Sequence, residues 1–219
     1  VLWAARELVE NGASAVAPEA ERALIETPEQ FWEEFQEKRF HDYAQQTTKV
    51  LAKPLQVERW VKEGDVVEWN GLKFDVYDTP GFTRGSVSYV VQVTDRKIGF
   101  LGDLIYGDGQ FFDLYSFQDA IPDANVGGYH GYGGRLGQLV ESLEKMKALN
   151  RDMVVPLRGP VIKRPNESIE KLLGRVRSLY DNYLATLALH WYFGEERLTI
   201  CKNRVLGENP PLRTMGLAL

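Results

Sequence analysis

"DTPGFTRGSVSYV", Asp78 to Val90, is the stretch whose reading decides the fold. Asp78 closes a run of period two, Thr79–Gly85 supplies proline and glycine, and Ser86 opens a second run of period two. That is a strand, a tight glycine loop and another strand. Upstream, "DVVEW" (65–69) and "LKFDVYD" (72–78) flank Asn70-Gly71. This dipeptide is a hairpin signal, because both central positions of a tight hairpin turn take positive φ. Downstream, "SVSYVVQV" (86–93) sets Val87, Tyr89, Val91 and Val93 on one side. A turn at Asp95-Arg96 then leads into "KIGFLGD" (97–103). Residues 65–103 therefore read as a run of adjacent strands, mostly antiparallel.

Helical patterns stand on either side of this run. Leu2, Ala5, Leu8 and Val9 share a helical face that stops at Gly12, and "ASAVAP" (13–18) reads as a short buried strand ended by Pro18. Thr27-Pro28-Glu29-Gln30 predicts a helix start, with threonine as cap and proline at the first helical position. Phe31, Trp32 and Phe35 give that helix its apolar face. Residues 104–134 are rich in glycine and aromatics and form a long connection. Leu136, Leu139, Val140, Leu143, Met146 and Leu149 then mark an amphipathic helix, "DMVVP" (152–156) a short strand, and Asn166 the cap of a long helix. The expected organisation is one α/β domain over residues 1–193 and a C-terminal extension over 194–219, in which "RLTICK" (197–202) is a further candidate strand.

The bulk composition narrows the function classes. The 219 residues suffice for a sizeable core, and 44% hydrophobic and 26% charged residues are ordinary for a globular protein. A net charge of −5 without a basic block argues against nucleic acid as a partner. No apolar run reaches membrane-spanning length, so no membrane partner is expected. With Cys201 the single cysteine, there is no internal disulfide and no thiolate cluster. The expected location is the cytoplasm. The chain opens on Val1 inside a helical pattern, which is expected of a fragment, a processed chain or a shortened version.

Three short stretches end at strand edges: "TPGFTRGS" (79–86), "FLGDLIYGDG" (100–109) and "VVPLRGPVI" (154–162). Ends of adjacent strands converge on one edge of a sheet, where sites are built. In this order, over roughly residues 1–190, the set resembles the metallo-β-lactamase superfamily. The resemblance implies an αββα sandwich and one or two zinc, iron or manganese ions. It also implies a His-x-His-x-Asp-His loop at a helix start, which would lie just before residue 1, and N-terminal strands that this chain lacks. At the later ligand positions the resemblance places Phe82 where the family has the histidine of Thr-Pro-Gly-His-Thr. Asp103 falls on the bridging aspartate of Gly-Asp, and Arg158 on the histidine of Pro-x-His-Gly-Pro.

Of those three positions only Asp103 keeps a ligand type. Phenylalanine has no lone pair, and a guanidinium stays protonated and repels a cation. The expectation is a degraded metal site with no cofactor as given, and a protein that is non-catalytic or altered in activity. A metal-dependent hydrolase with its remaining ligands upstream of Val1 is the alternative. Two readings of Arg158 stand side by side. In one it offsets Asp103 where metal cations once did, while Phe82 fills the vacated space. In the other it points to solvent and Asp103 caps a turn.

Other candidates have ordinary readings beside them. His130 in "GGYHGYGG" is a pocket or acid–base candidate, or a plain loop histidine. His41 and His190 read as structural or solvent-facing, and the three histidines lack ligand spacing. Ser86 and Ser88 have no nearby histidine partner. Gly107 and Gly109 do not precede a helix start suited to a nucleotide. Tyr106, Phe111, Phe112, Tyr115 and Phe117 suit a substrate wall, a core or a contact surface. A sheet without its facing layer would expose a large apolar face. A complementing N-terminal fragment, a second copy of the chain or segment 194–219 is therefore expected to cover it. Any small-molecule ligand is beyond the sequence.

Overall fold

The computed structural model describes residues 2–37, 51–110, 120–121, 126–127 and 135–182. His41, His130, His190, Cys201, the aromatics from Phe111 to Phe117 and the C-terminal extension lie outside these residues. The helices are α1 (Leu2–Glu10), α2 (Arg22–Glu26), α3 (Pro28–Glu37), α4 (Leu136–Ala148) and α5 over 165–182.

Five strands make the main sheet: β3 (Val66–Trp69), β4 (Leu72–Asp78), β5 (Val87–Val93), β6 (Arg96–Phe100) and β9 (Met153–Val155), in the order β3-β4-β5-β6-β9. All neighbours are antiparallel except β6 and β9, which run parallel with Ile98 opposite Met153 and Phe100 opposite Val155. A parallel step needs a crossover, and α4 lies within it. Two short pairs complete the strands. β1 (Val16–Pro18) is parallel to β2 (Arg59–Val61), and β7 (Ala120–Ile121) is antiparallel to β8 (Val126–Gly127).

Asn70 and Gly71 carry the hairpin between β3 and β4 with φ of 49° and 76°, the double positive φ that their side chains tolerate. The next turn differs from its expected position by one residue. Val93 pairs with Arg96, so Thr94 and Asp95 form the tip, with Thr94 at φ 54° and its hydroxyl on the Val93 carbonyl. Thr27 also departs from expectation: its hydroxyl turns back onto the Ala23 carbonyl of α2, while its own carbonyl accepts from Phe31 N. Asn166 is not the cap of α5. The helix starts with Pro165, which loses nothing by lacking an N–H in the first turn. The amide of Asn166 instead donates to Asn150 Oδ1 at 3.0 Å.

Two apolar clusters result. The larger joins α4 and α5 to one face of the main sheet through Leu139, Leu143, Met146, Val154, Ile169, Leu172, Leu173 and Val176, all buried. The strand register sets Tyr77, Ser88, Val90, Gly99 and Val154 on that face. The smaller cluster packs Ala17, Ile25, Leu51 and Leu55. The opposite sheet face carries Trp69, Phe74, Tyr89, Val91, Ile98, Phe100, Met153 and Val155 by the same register. It contains the Val87–Val93 alternation read from the sequence. Trp69 on this face is 64% exposed and Phe100 38%, whereas Val76 and Val91 are buried. Among the described residues, no helix is long and apolar enough to cross a membrane.

Candidate functional site

The loop after β4 is braced from several elements. Thr79 N donates to Ser86 O at 2.8 Å, Gly81 N to Thr83 O at 3.1 Å, and the hydroxyls of Thr83 and Ser86 lie 2.7 Å apart. Beneath it the buried hydroxyls of Thr79 and Ser88 share a 2.7 Å hydrogen bond. From α4, Ser142 Oγ donates to Pro80 O at 2.7 Å. From the other side Glu21 accepts the Gly85 amide at 2.8 Å. A Cβ at Gly85 would stand 2.6 Å from Glu21 Cγ, so glycine is what lets this carboxylate approach. Arg135, only 5% exposed at the start of α4, donates to the carbonyls of Gly81 and Phe82. Phe82 is partly buried and packs against the main cluster.

The loop after β6 is tied to the end of β9. Leu101 N donates to Val155 O at 3.3 Å, and Leu157 N to Gly102 O at 2.7 Å. These bonds bring Asp103 and Arg158 together: Arg158 Nη1 lies 2.7 Å from Asp103 Oδ1. The Asp103 side chain is 7% exposed and that of Arg158 32%. Of the two readings of Arg158, the structure has the paired one. Burial pushes the Asp103 carboxyl above its ordinary range, and the charge and hydrogen bond of Arg158 pull it back part of the way. The ion pair therefore offsets the desolvation only partly. The Tyr106 ring stands where a side chain at Gly159 would, with Cε2 2.5 Å from an ideal Cβ there, so Gly159 (φ 91°) seats it beside Arg158. Beyond it, Tyr106 and Gln110 exchange backbone bonds around the turn that holds Gly107 and Gly109. Asp108 in this turn is held by Lys171 and by Ser168 Oγ at 3.0 Å. The Gly107–Gly109 pattern is thus a turn clamped onto α5.

Sequence reasoning singled out Phe82, Asp103 and Arg158, and the structure sets them at one edge of the main sheet. Gly81 provides the link: a Cβ there would be 3.5 Å from Leu104 Cδ1, so the first loop abuts the second one residue past Asp103. The anchors Glu21, Arg135 and Ser142 were not anticipated. An arginine immediately ahead of an amphipathic helix was the one available signal for Arg135. Among the described residues, this edge of the sheet is poor in metal donors. The Asp103 carboxylate is committed to a guanidinium, Phe82 offers no donor, and among the described residues no three His, Cys, Asp or Glu side chains converge.

Residues 3–157 match the family model described as the Metallo-beta-lactamase superfamily. The hydroxyacylglutathione hydrolase of Aeromonas salmonicida (strain A449) is 25% identical over 151 residues, covering 64% of this chain and 49% of that protein. The acyl-coenzyme A thioesterase MBLAC2 of Gallus gallus is 33% identical over 88 residues, covering 40% of this chain and 28% of that protein. The chain thus spans about half the length, or less, of these relatives. Among solved structures, the metallo-beta-lactamase family protein TTHA1429 from Thermus thermophilus superposes with a TM-score of 0.59 at 17% identity, covering 84% of this chain and 59% of that one. A beta-lactamase from Chitinophaga pinensis gives 0.53 at 16% identity, covering 84% and 68%. Likeness at such identity speaks to the fold alone.

Proposed function

The chain belongs to the metallo-β-lactamase superfamily, and from that premise we propose that it uses the fold for binding or assembly, or for an altered activity, with side chains in place of a divalent-ion pocket. The observation that carries the reading is the 2.7 Å contact between Arg158 and Asp103. A guanidinium on the one retained carboxylate supplies a fixed positive charge where the family's metal chemistry needs a Lewis acid and a bound hydroxide. Phe82 fills the neighbouring ligand position with an apolar ring. No hydrolytic step is assigned to these residues.

The test is metal content of the protein made from its complete gene, with the double substitution Phe82→His and Arg158→His alongside. The wild type should purify without stoichiometric zinc, iron or manganese, and the double variant should gain affinity for zinc. A wild type holding any of these ions at full occupancy would end the proposal.

A second reading is a metal-dependent hydrolase whose other ligands lie upstream of Val1. It draws on the names of the longer curated relatives, a hydroxyacylglutathione hydrolase and an acyl-coenzyme A thioesterase. Thioester turnover by the full-length protein, abolished by a chelator, would favour it. We further propose that the apolar sheet face carrying Trp69 and Phe100 is covered by an N-terminal fragment, a second copy of the chain or segment 194–219. Light scattering with intact-mass analysis tests this, and a monomer with neither a companion peptide nor a folded-back tail would defeat it.

A further inference from the structure

Arg151 lies between α4 and β9 and is 4% exposed. Its three guanidinium nitrogens are all buried, and none has a hydrogen-bond partner. No carboxylate pairs with it among the described residues. The adjacent acid is committed elsewhere: Asp152 Oδ2 accepts the Lys97 amide at 2.7 Å. The place is nevertheless shaped for this arginine. A Cβ at Gly99 would stand 2.6 Å from Arg151 Cδ and 3.3 Å from its Nε, so the absence of a side chain on β6 is what admits the stem beneath the sheet. Tyr77 lies partly buried on the same sheet face, where burial, then Asp75 and Glu63, push its hydroxyl above the ordinary range and Arg151 opposes them.

An arginine cannot shed its proton at neutral pH, and burying its charge with no acceptor costs several kcal/mol. A carboxylate within reach would answer it, but none pairs with it among the described residues. Water can accept hydrogen bonds but brings no charge. An anion supplies both, and a buried guanidinium is a donor suited to one.

We propose that Arg151 forms an interior binding site for a small inorganic anion, held under β6 at Gly99. The ligand class is chloride or a compact oxyanion such as phosphate. The site stands apart from the Asp103–Arg158 pair and does not depend on the function proposed above. It is joined to that pair along β6, whose far end runs directly into Asp103.

Thermal unfolding in a zwitterionic buffer at constant ionic strength tests it, with gluconate exchanged for chloride in one arm and for phosphate in the other. The wild-type midpoint should rise with the logarithm of anion concentration above the dissociation constant, by about 3–5 °C at tenfold that constant for a chain of this size. The arm whose rise begins at lower concentration identifies the anion. Arg151→Met, which keeps the volume of the stem, should abolish the rise. Equal rises in wild type and Arg151→Met, or no rise in either arm, would overturn the proposal. Should Arg151→Met fail to fold, bromide soaked into wild-type crystals decides: an anomalous peak beside the guanidinium supports the site, and its absence refutes it.

Discussion

The two ends of β9 each present an arginine, and the two live under opposite terms. Arg158, past the C-terminal end, is about one-third exposed and meets Asp103 at 2.7 Å. Arg151, ahead of the N-terminal end, is 4% exposed and pairs with no acid among the described residues. Burial pulls the Arg151 guanidinium down to about 10, with Tyr77 opposing, whereas at the other end the burial cost falls on the carboxyl of Asp103. At one end a buried acid is partly answered by a guanidinium. At the other, a buried guanidinium has no hydrogen-bond partner among the described residues.

Breaking the paired end should have the largest effect. Arg158→Ala strands Asp103 in a site that already resists ionisation. Chemical denaturation should register a loss of about 2 kcal/mol, below the range for fully buried pairs because Arg158 is partly solvated. The double variant Asp103→Asn with Arg158→Met should lose less than the single, since no buried charge is left alone. An Arg158→Ala protein as stable as wild type would mean that the pair contributes nothing and that the two ends differ only in appearance.

At the other end, Gly99→Ala should cost about 1 kcal/mol by pressing on the flexible stem of Arg151 and on Leu101 Cδ1. That cost should shrink when Arg151 is also shortened to alanine, a coupling that a double-mutant cycle measures. Independent, additive losses would show that Arg151 does not depend on the space at Gly99.

The smallest effect is expected at Asp108, an exposed group that serves as a control for surface pairing. Lys171 and then Ser168 hold its carboxyl below the ordinary carboxylate range. A depressed folded-state value means that the stabilisation is present above the unfolded carboxylate range and is lost as pH falls through the folded value. Asp108→Asn should therefore melt slightly below wild type at pH 7, with the gap closing in acid. A gap that widened in acid would reverse the sign and refute the assignment.

Much of this was legible because the signals were local. Asn70-Gly71 names its own turn, and the strand run over 65–103 followed from period two. The convergence of Phe82, Asp103 and Arg158 followed from three strand ends in order. The misplacements were also local in origin. Thr94 carries a positive φ that β-branched residues usually avoid, so the next pair looked like the better turn. Thr27 had a second acceptor, Ala23 O, in a helix that the sequence did not announce. What stayed hidden depends on tertiary proximity. Glu21 reaches Gly85, Arg135 reaches the Gly81 and Phe82 carbonyls, and Arg151 lies under Gly99. Glycines in strands and loops give no hint of which distant side chain occupies the room they leave.

The parallel step from β6 to β9 has a consequence in time. Strands β3 to β6 are joined by short local connections, but β9 reaches β6 only after the chain has traversed residues 101–152. Contacts of long sequence separation carry the larger loop-closure cost, so Asp103 is expected to be in place, still hydrated, before Arg158 arrives. The loss from Arg158→Ala should then surface as faster unfolding with the refolding rate almost untouched, the kinetic mark of a clasp fastened last.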